Sequence, residues 1–344
     1  MSTTADKISD ILRSLSVPYN KSVRPIEAST GFNMHCMSPL SPTHMEQKPS
    51  VLFMGSYSAG KTTAIKYLLQ LDIPVLRVGP EPTTDMFHVL TYGEKQVTVG
   101  GVILMNDPHL GFQNFFPSNK DIARHFQLTR VNNTCLRAMD IIDSPGFLSG
   151  ENMGDQRGYD LPGVLCELGK RCTRMYMMMD VFKVDVSPEC KECLRKMRSM
   201  MGKMRLIFNK ADSVSDLNLI RLYGAFMYHS GMAVCAPEVP HVFICSLWDK
   251  PYKHDTYRDL FDSEKLELLN DLQMLSVYHY PHIVGNMIER LNCFLVIHLL
   301  MCRGIWWLQD SSEKLCRFSK RRRKSRKLWP ISAHSTTMPC GMRE

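Results

Sequence analysis

The chain lacks a continuous run of about 20 apolar residues, which excludes a polytopic membrane protein. It lacks an apolar core in its first 16 residues, which are polar and mixed in charge, so no secretory signal is expected there. No internal repeat is visible. It also has little net charge outside one end. Residues 311–344 hold ten Lys/Arg against two Glu, a balance of +8 that equals the net charge of all 344 residues. Residues 1–310 are therefore neutral, and a nucleic-acid partner is not expected for the folded part. Twelve cysteines are present, but only Cys190 and Cys193 stand as C-x-x-C. Without a second pair at ribbon spacing they do not announce structural zinc, and reduced core cysteines are the simpler reading. What remains is ordinary globular composition, 44% hydrophobic and 22% charged, long enough for two domains or one large domain with additions.

From Ser50 onward, short apolar runs alternate with segments of helical periodicity. The runs are Val51–Met54, Met139–Ile142, Met175–Met179, Arg205–Phe208 and His241–Ile244. Strands alternating with helices predict an α/β domain with a mostly parallel sheet. The methionines of the third run read as adaptable core filling rather than a metal site. A short helix is expected over Asp6–Leu15 and a longer helical segment over 263–292, the latter with Ser263 as N-cap and Leu266, Leu269, Leu272 and Leu275 recurring at near-helical spacing. The ten-residue apolar run Cys293–Cys302 is too short to span a membrane and predicts a buried helix, with an interfacial helix as the alternative. The basic cluster Lys320–Lys327 reads as a solvated tail; acidic lipid, RNA or an import receptor are its other candidate partners.

The most specific signal is Gly55-Ser56-Tyr57-Ser58-Ala59-Gly60-Lys61-Thr62, which matches G-x-x-x-x-G-K-[ST]. Glycines let backbone N–H groups close around phosphate oxygens, Lys61 brings positive charge to the β- and γ-phosphates, and Thr62 offers a hydroxyl to Mg²⁺. The helix that follows aims its positive end at the anion. Three companions appear in the order a GTPase requires. Asp143-Ser144-Pro145-Gly146 supplies an Asp able to hold Mg²⁺ through water and a Gly N–H able to sense the γ-phosphate. Glu81-Pro82-Thr83-Thr84-Asp85 supplies a Thr that can close onto Mg²⁺. Asn209-Lys210-Ala211-Asp212 supplies a carboxylate suited to a guanine edge and a Lys to pack along the base.

These strings, with Gly79–Asp85, Ile142–Glu151, Arg157-Gly158-Tyr159-Asp160 and Arg221–Ala225, resemble the EH-domain-containing branch of the dynamin superfamily over roughly residues 18–292. Within that branch the sarcalumenin-like members are most similar, through Pro251–Thr256 and Arg258-Asp259-Leu260-Phe261. The resemblance implies a dynamin-type G domain over 49–274, after an extension over 1–17. It implies a helical domain drawn from both flanks, here 18–48 and a truncated 275–310, followed by the basic tail 311–344. It implies Mg²⁺ with GTP or ATP as cofactors, slow hydrolysis, a homodimer through the G domain, and association with curved membranes. The candidate nucleotide-binding residues are Gly55, Ser58, Ala59, Gly60, Lys61, Thr62, Thr63, Gly146, Asn209, Lys210, Asp212 and Trp248. Candidate metal residues are Thr62, Thr84 and Asp143; candidate catalytic residues are Ser58, Lys61 and Thr84. Trp248, in Ser246-Leu247-Trp248, is the candidate dimer contact, with a core role as its alternative. Tyr57 stands where dynamins carry a catalytic Gln and where EH-domain-containing proteins carry Tyr, which implies slow intrinsic hydrolysis. The expected location is cytoplasmic or peripheral to a membrane, with the reticulum as the alternative. The competing reading is a non-enzymatic, sarcalumenin-like structural protein.

Overall fold

A computed structural model describes residues 14–29, 47–73, 86–107, 110, 112, 120–148, 158–183, 186–234, 240–275, 277, 279–281, 283–285 and 287–299. The chain divides into two units, 1–286 and 287–344. The first is built on an eight-stranded sheet: β1 Ser50–Gly55, β2 Phe87–Tyr92, β3 Val97–Gly100, β4 Phe126–Val131, β5 Asp140–Asp143, β6 Arg174–Asp180, β7 Met204–Asn209 and β8 Val242–Ile244. Their order across the sheet is β3-β4-β2-β5-β1-β6-β7-β8. β1 lies between β5 and β6, parallel to both, and β6, β7 and β8 continue in parallel. Among the described strands, only the β2–β5 and β3–β4 pairings are antiparallel. Helices among the described residues include α1 Arg24–Ser29, α2 Lys61–Leu69, α3 Gly101–Asn106, α4 Thr134–Ala138, α5 Leu161–Arg171, α6 Pro188–Lys196, α7 Asp216–Val234 and α8 Arg258–Gln273.

The apolar runs are continuous because both faces of the central strands are covered. Leu52, Met54, Met175, Met177, Met179, Leu206 and Phe208 pack on α5, α6 and α7 through Leu165, Leu168, Cys193 and Phe226. Their neighbours Val51, Phe53, Tyr176, Met178, Ile207 and Phe243 face the other side, against Ala64, Ile65 and Leu69 of α2 and Leu268 and Leu272 of α8. Each such side chain, fully buried, contributes on the order of 1.5–3 kcal/mol. The methionine run is core, and Cys190 and Cys193 are buried free thiols. Asp160 caps α5 by accepting the Gly163 N–H at 3.1 Å. Ser187 caps α6 through the Cys190 N–H at 3.3 Å.

Two sequence expectations need correction. Ser263 is not an N-cap: α8 begins five residues earlier, after Tyr257, and carries Ser263 in its interior. The residues from Cys293 to Leu299 are helical but not buried, for Leu295, Val296 and Leu299 are each more than half exposed. The Asp6–Leu15 helix lies mostly outside the described residues, as do Met301–Cys302 and the whole basic tail.

The foot of the sheet is tied to the helical residues that follow α8. His279 meets the Gln47 carbonyl through Nε2 at 2.8 Å and the Thr173 hydroxyl through Nδ1 at 2.9 Å. A carbonyl only accepts, so Nε2 carries the proton and Thr173 donates to Nδ1. At the opposite end, the carboxyl ends of β1, β5, β6, β7 and β8 converge, the usual place for a ligand in an open α/β sheet.

Candidate nucleotide site

The turn from β1 into α2 is shaped by its backbone. Ser58 has φ of 63° and Gly60 of 92°. A side chain at Gly60 would be strained by that φ, and its Cβ would stand 2.6 Å from Asn209 Nδ2. Only glycine fits there. Lys61 opens α2, is buried, and turns its Nζ onto the carbonyls of Gly55 and Ser56, both at 3.1 Å. The ammonium is thereby held within the loop rather than in solvent.

β5 delivers the next element. Ser144 N–H donates to Phe53 O at 3.0 Å, Phe147 N–H to Gly55 O at 3.0 Å, and Tyr57 N–H to Phe147 O at 3.0 Å. These bonds zip the segment 143–147 onto the phosphate loop. Gly146 ends up so close that a Cβ would lie 2.7 Å from Tyr57 Cα and 3.2 Å from Lys61 Nζ. The sequence-predicted γ-phosphate sensor and the loop lysine are therefore neighbours. Asp143 Oδ2 accepts the Thr62 hydroxyl at 2.7 Å, while Oδ1 is buried with no hydrogen-bond partner. Burial pushes the Asp143 carboxyl up to about 6; Lys61 and the Thr62 hydroxyl pull against that. A buried carboxylate oxygen without a partner, beside a hydroxyl, is a hard oxygen set that fits Mg²⁺.

The base side is assembled differently. Asn209, at the end of β7, donates to Ala59 O at 2.9 Å and accepts Leu247 N–H at 3.0 Å. Lys210, with φ of 64°, reaches Ser58 O at 2.7 Å and Asp180 Oδ2 at 2.6 Å. Asp212 is buried and oriented by the Ser246 hydroxyl at 2.6 Å and the Lys253 N–H at 3.1 Å. Each carboxylate oxygen has a second lone pair to offer. Together with Gly60, Thr63, Ser213 and Trp248, these groups line a cavity of about 150 Å³. Trp248 is half-buried, its ring flanked by Lys250 at 5.8 Å and Lys253 at 5.6 Å. Its Nε1 is buried without a partner.

The structure thus brings together Gly55, Ser58, Ala59, Gly60, Lys61, Thr62, Thr63, Asp143, Gly146, Asn209, Lys210, Asp212 and Trp248. Thr84 lies outside the described residues. Sequence reasoning missed Asp180, Ser246 and Lys253 as partners of Lys210 and Asp212. Asp180 and Ser246 stand at or just past the carboxyl ends of β6 and β8, a position that could have drawn attention to them; Lys253 lies in the loop beyond and carried no such signal. Tyr57 was noticed, but its hydroxyl proves to be buried without a partner.

Residues 51–197 match the sequence profile of the dynamin family. Mouse EH domain-containing protein 3 is 36% identical over 268 residues, 78% of this chain and 50% of that protein. Rat EH domain-containing protein 2 is 35% identical over 286 residues, 83% of this chain and 53% of that protein. The chain spans about half the length of these relatives. Among solved structures, one from an oligomerised bacterial dynamin pair aligns with a TM-score of 0.47 and 13% identity, over 94% of this chain and 52% of that one. The chain carries a dynamin-type G domain, and the relatives it matches are EH domain-containing proteins.

Proposed function

We propose that this chain binds a purine nucleotide, GTP or ATP, with Mg²⁺ and hydrolyses it slowly, and that the nucleotide state governs dimerisation and membrane association or remodelling. The observation that carries the reading is the phosphate side of the site. A buried lysine is held in a loop with backbone φ above zero, beside a carboxylate oxygen that no protein group satisfies. Lys61 and the loop N–H groups oppose charge on the phosphoryl oxygens. Thr62 would hold Mg²⁺ directly and Asp143 through water, with Thr84 as the candidate third group. The ion, when bound, draws charge from the β- and γ-phosphate oxygens. Gly146 is the candidate reporter of the γ-phosphate, and Ser58 the candidate contact at the bridge between β and γ. Asn209, Lys210 and Asp212 frame the base.

Trp248 is the candidate dimer contact, and its place at the wall of the base cavity would make that contact sensitive to the nucleotide. Among the described residues no helix is long and apolar enough to cross a membrane, so a peripheral attachment, on the cytoplasmic side or at the reticulum, is the proposed mode. A sarcalumenin-like, non-enzymatic role is the second reading. It is favoured by Tyr57, whose aromatic side chain cannot position a water as an amide does.

The test is Lys61→Ala. Loss of a buried, charged donor to the phosphates should weaken nucleotide binding about 10- to 100-fold with the fold intact. Unchanged affinity would remove the assignment. Multiple turnover in the presence of vesicles separates the first reading from the second.

A further inference from the structure

Away from the nucleotide site, His241 precedes the edge strand β8, and Glu264 and Glu267 stand one turn apart on α8. One ligand atom from each lies within 4.8 Å of the other two. His241 Nε2 and Glu267 Oε1 are 3.7 Å apart. That is too long for a hydrogen bond, and near the roughly 3.4 Å that separates two ligand atoms about 2.1 Å from one tetrahedral ion.

Two of the three ligands are held by their surroundings, and Glu267 is exposed. The His241 ring packs against Phe243 with centroids 4.5 Å apart. Glu264 Oε2 accepts the Ile244 N–H at 3.2 Å, which orients the carboxylate toward β8. Burial pushes the Glu264 carboxyl up, the Ile244 N–H pulls it down, and Glu267 pushes it up again. The nearby cations are engaged elsewhere. Lys265, between the two glutamates in sequence, lies over the rings of Tyr252 at 4.5 Å and Tyr67 at 5.4 Å. Arg205 lines the adjoining cavity but donates Nη1 to the Gly202 and Met204 carbonyls. Asp271, the next carboxylate along, is taken by Arg174 at 2.8 Å and Tyr176 at 2.6 Å. Two carboxylates and an imidazole are thus left facing one point, with no lysine or arginine among the described residues pairing with either glutamate there.

We propose that His241, Glu264 and Glu267 form a binding site for a divalent transition-metal ion of the zinc class. Imidazole nitrogen and carboxylate oxygen are both zinc donors, three protein ligands leave a position for water, and the imidazole selects against Mg²⁺ and Ca²⁺. The ion clips the edge strand β8 to α8. β8 runs directly into Ser246, Trp248 and Lys253, the wall of the base cavity, so an ion here steadies that wall from outside.

The test uses the full chain stripped of metal and free of nucleotide, titrated calorimetrically with Zn²⁺ and by absorbance with Co²⁺. One equivalent should bind and raise Tm. His241→Ala and Glu267→Gln, both at exposed positions, should each weaken that binding at least about tenfold and abolish the rise in Tm. The Co²⁺ spectrum should lack thiolate charge-transfer bands. Binding that is absent, that survives both substitutions, or that shows thiolate bands would overturn the site. None of these readouts depends on nucleotide, so the proposal stands or falls apart from the function proposed above.

Discussion

The two halves of the nucleotide site are built on opposite principles. On the base side, Asn209 and Asp212 are satisfied by the protein itself, through Ala59, Leu247, Ser246 and Lys253. Trp248 Nε1 is the exception there. On the phosphate side, Asp143 Oδ1 and the Tyr57 hydroxyl are buried without partners. The base half is a scaffold that stands without ligand. The phosphate half holds unmet polarity, which costs stability until a cation and an anion arrive. Substitutions should therefore act in opposite directions in the two halves.

The largest effect is expected in the base half. Asn209→Ala leaves the buried Ala59 carbonyl and Leu247 N–H unpaired, and should cost about 4 kcal/mol in denaturant unfolding. A loss near zero would mean that the half is not self-supporting.

His88, buried on β2 with both ring nitrogens unpartnered, gives the next effect. Burial pulls its pKa down to about 4. Its folded value lies below its unfolded value, so the unfolded chain takes up the proton first. Its contribution is full above about pH 6.5 and is lost as pH falls toward 4, up to about 3 kcal/mol. His88→Leu should remove that acid sensitivity.

Asp143 behaves in the opposite sense. Its carboxyl is held at about 6, above the unfolded value of 3.8. The native state keeps the proton longer, so stability falls as pH rises from about 4 to 6, and the deficit remains above 6. Asp143→Asn should therefore be more stable at pH 7, by about 2–3 kcal/mol, while losing the Mg²⁺ dependence of nucleotide binding. Urea unfolding of each single variant from pH 4 to 8 should uncover the slope that the other residue masks.

Ser246→Ala should give the smallest change. It removes one of the two donors that orient Asp212 and should cost about 1 kcal/mol, with a few-fold loss of guanine-nucleotide affinity. An unchanged GTP-to-ATP ratio would show that Asp212 does not read the base.

The same contrast runs through what the sequence revealed. β1, β5, β6 and β7 were legible because their runs are mostly apolar, which follows from burial on both faces; the edge strand β8 was legible from Val242, Phe243 and Ile244, of which only Phe243 is buried. β2, β3 and β4 were not singled out. β3 is exposed at both ends and only half-buried between them, and β4 interleaves the polar Gln127, Thr129 and Arg130 with its apolar residues. α8 was placed too late because no side chain caps it after Tyr257, whereas Ser263 offers a cap signal inside the helix. The phosphate half could be read residue by residue, since its chemistry is carried by contiguous strings. The base half could be read only as Asn209, Lys210 and Asp212. Their partners Asp180, Ser246, Leu247 and Lys253 come from other strands and loops, and no local pattern joins them.

The central claim is that the phosphate half is completed by Mg²⁺ and nucleotide, and one measurement tests it most directly. Fluorescent ATP and GTP analogues are titrated into the full chain and into Asp143→Asn, with and without Mg²⁺. The account predicts Mg²⁺-dependent binding to the native chain and binding indifferent to Mg²⁺ in the variant. Equal, Mg²⁺-independent affinities in both, or no binding to a folded native chain, would contradict it.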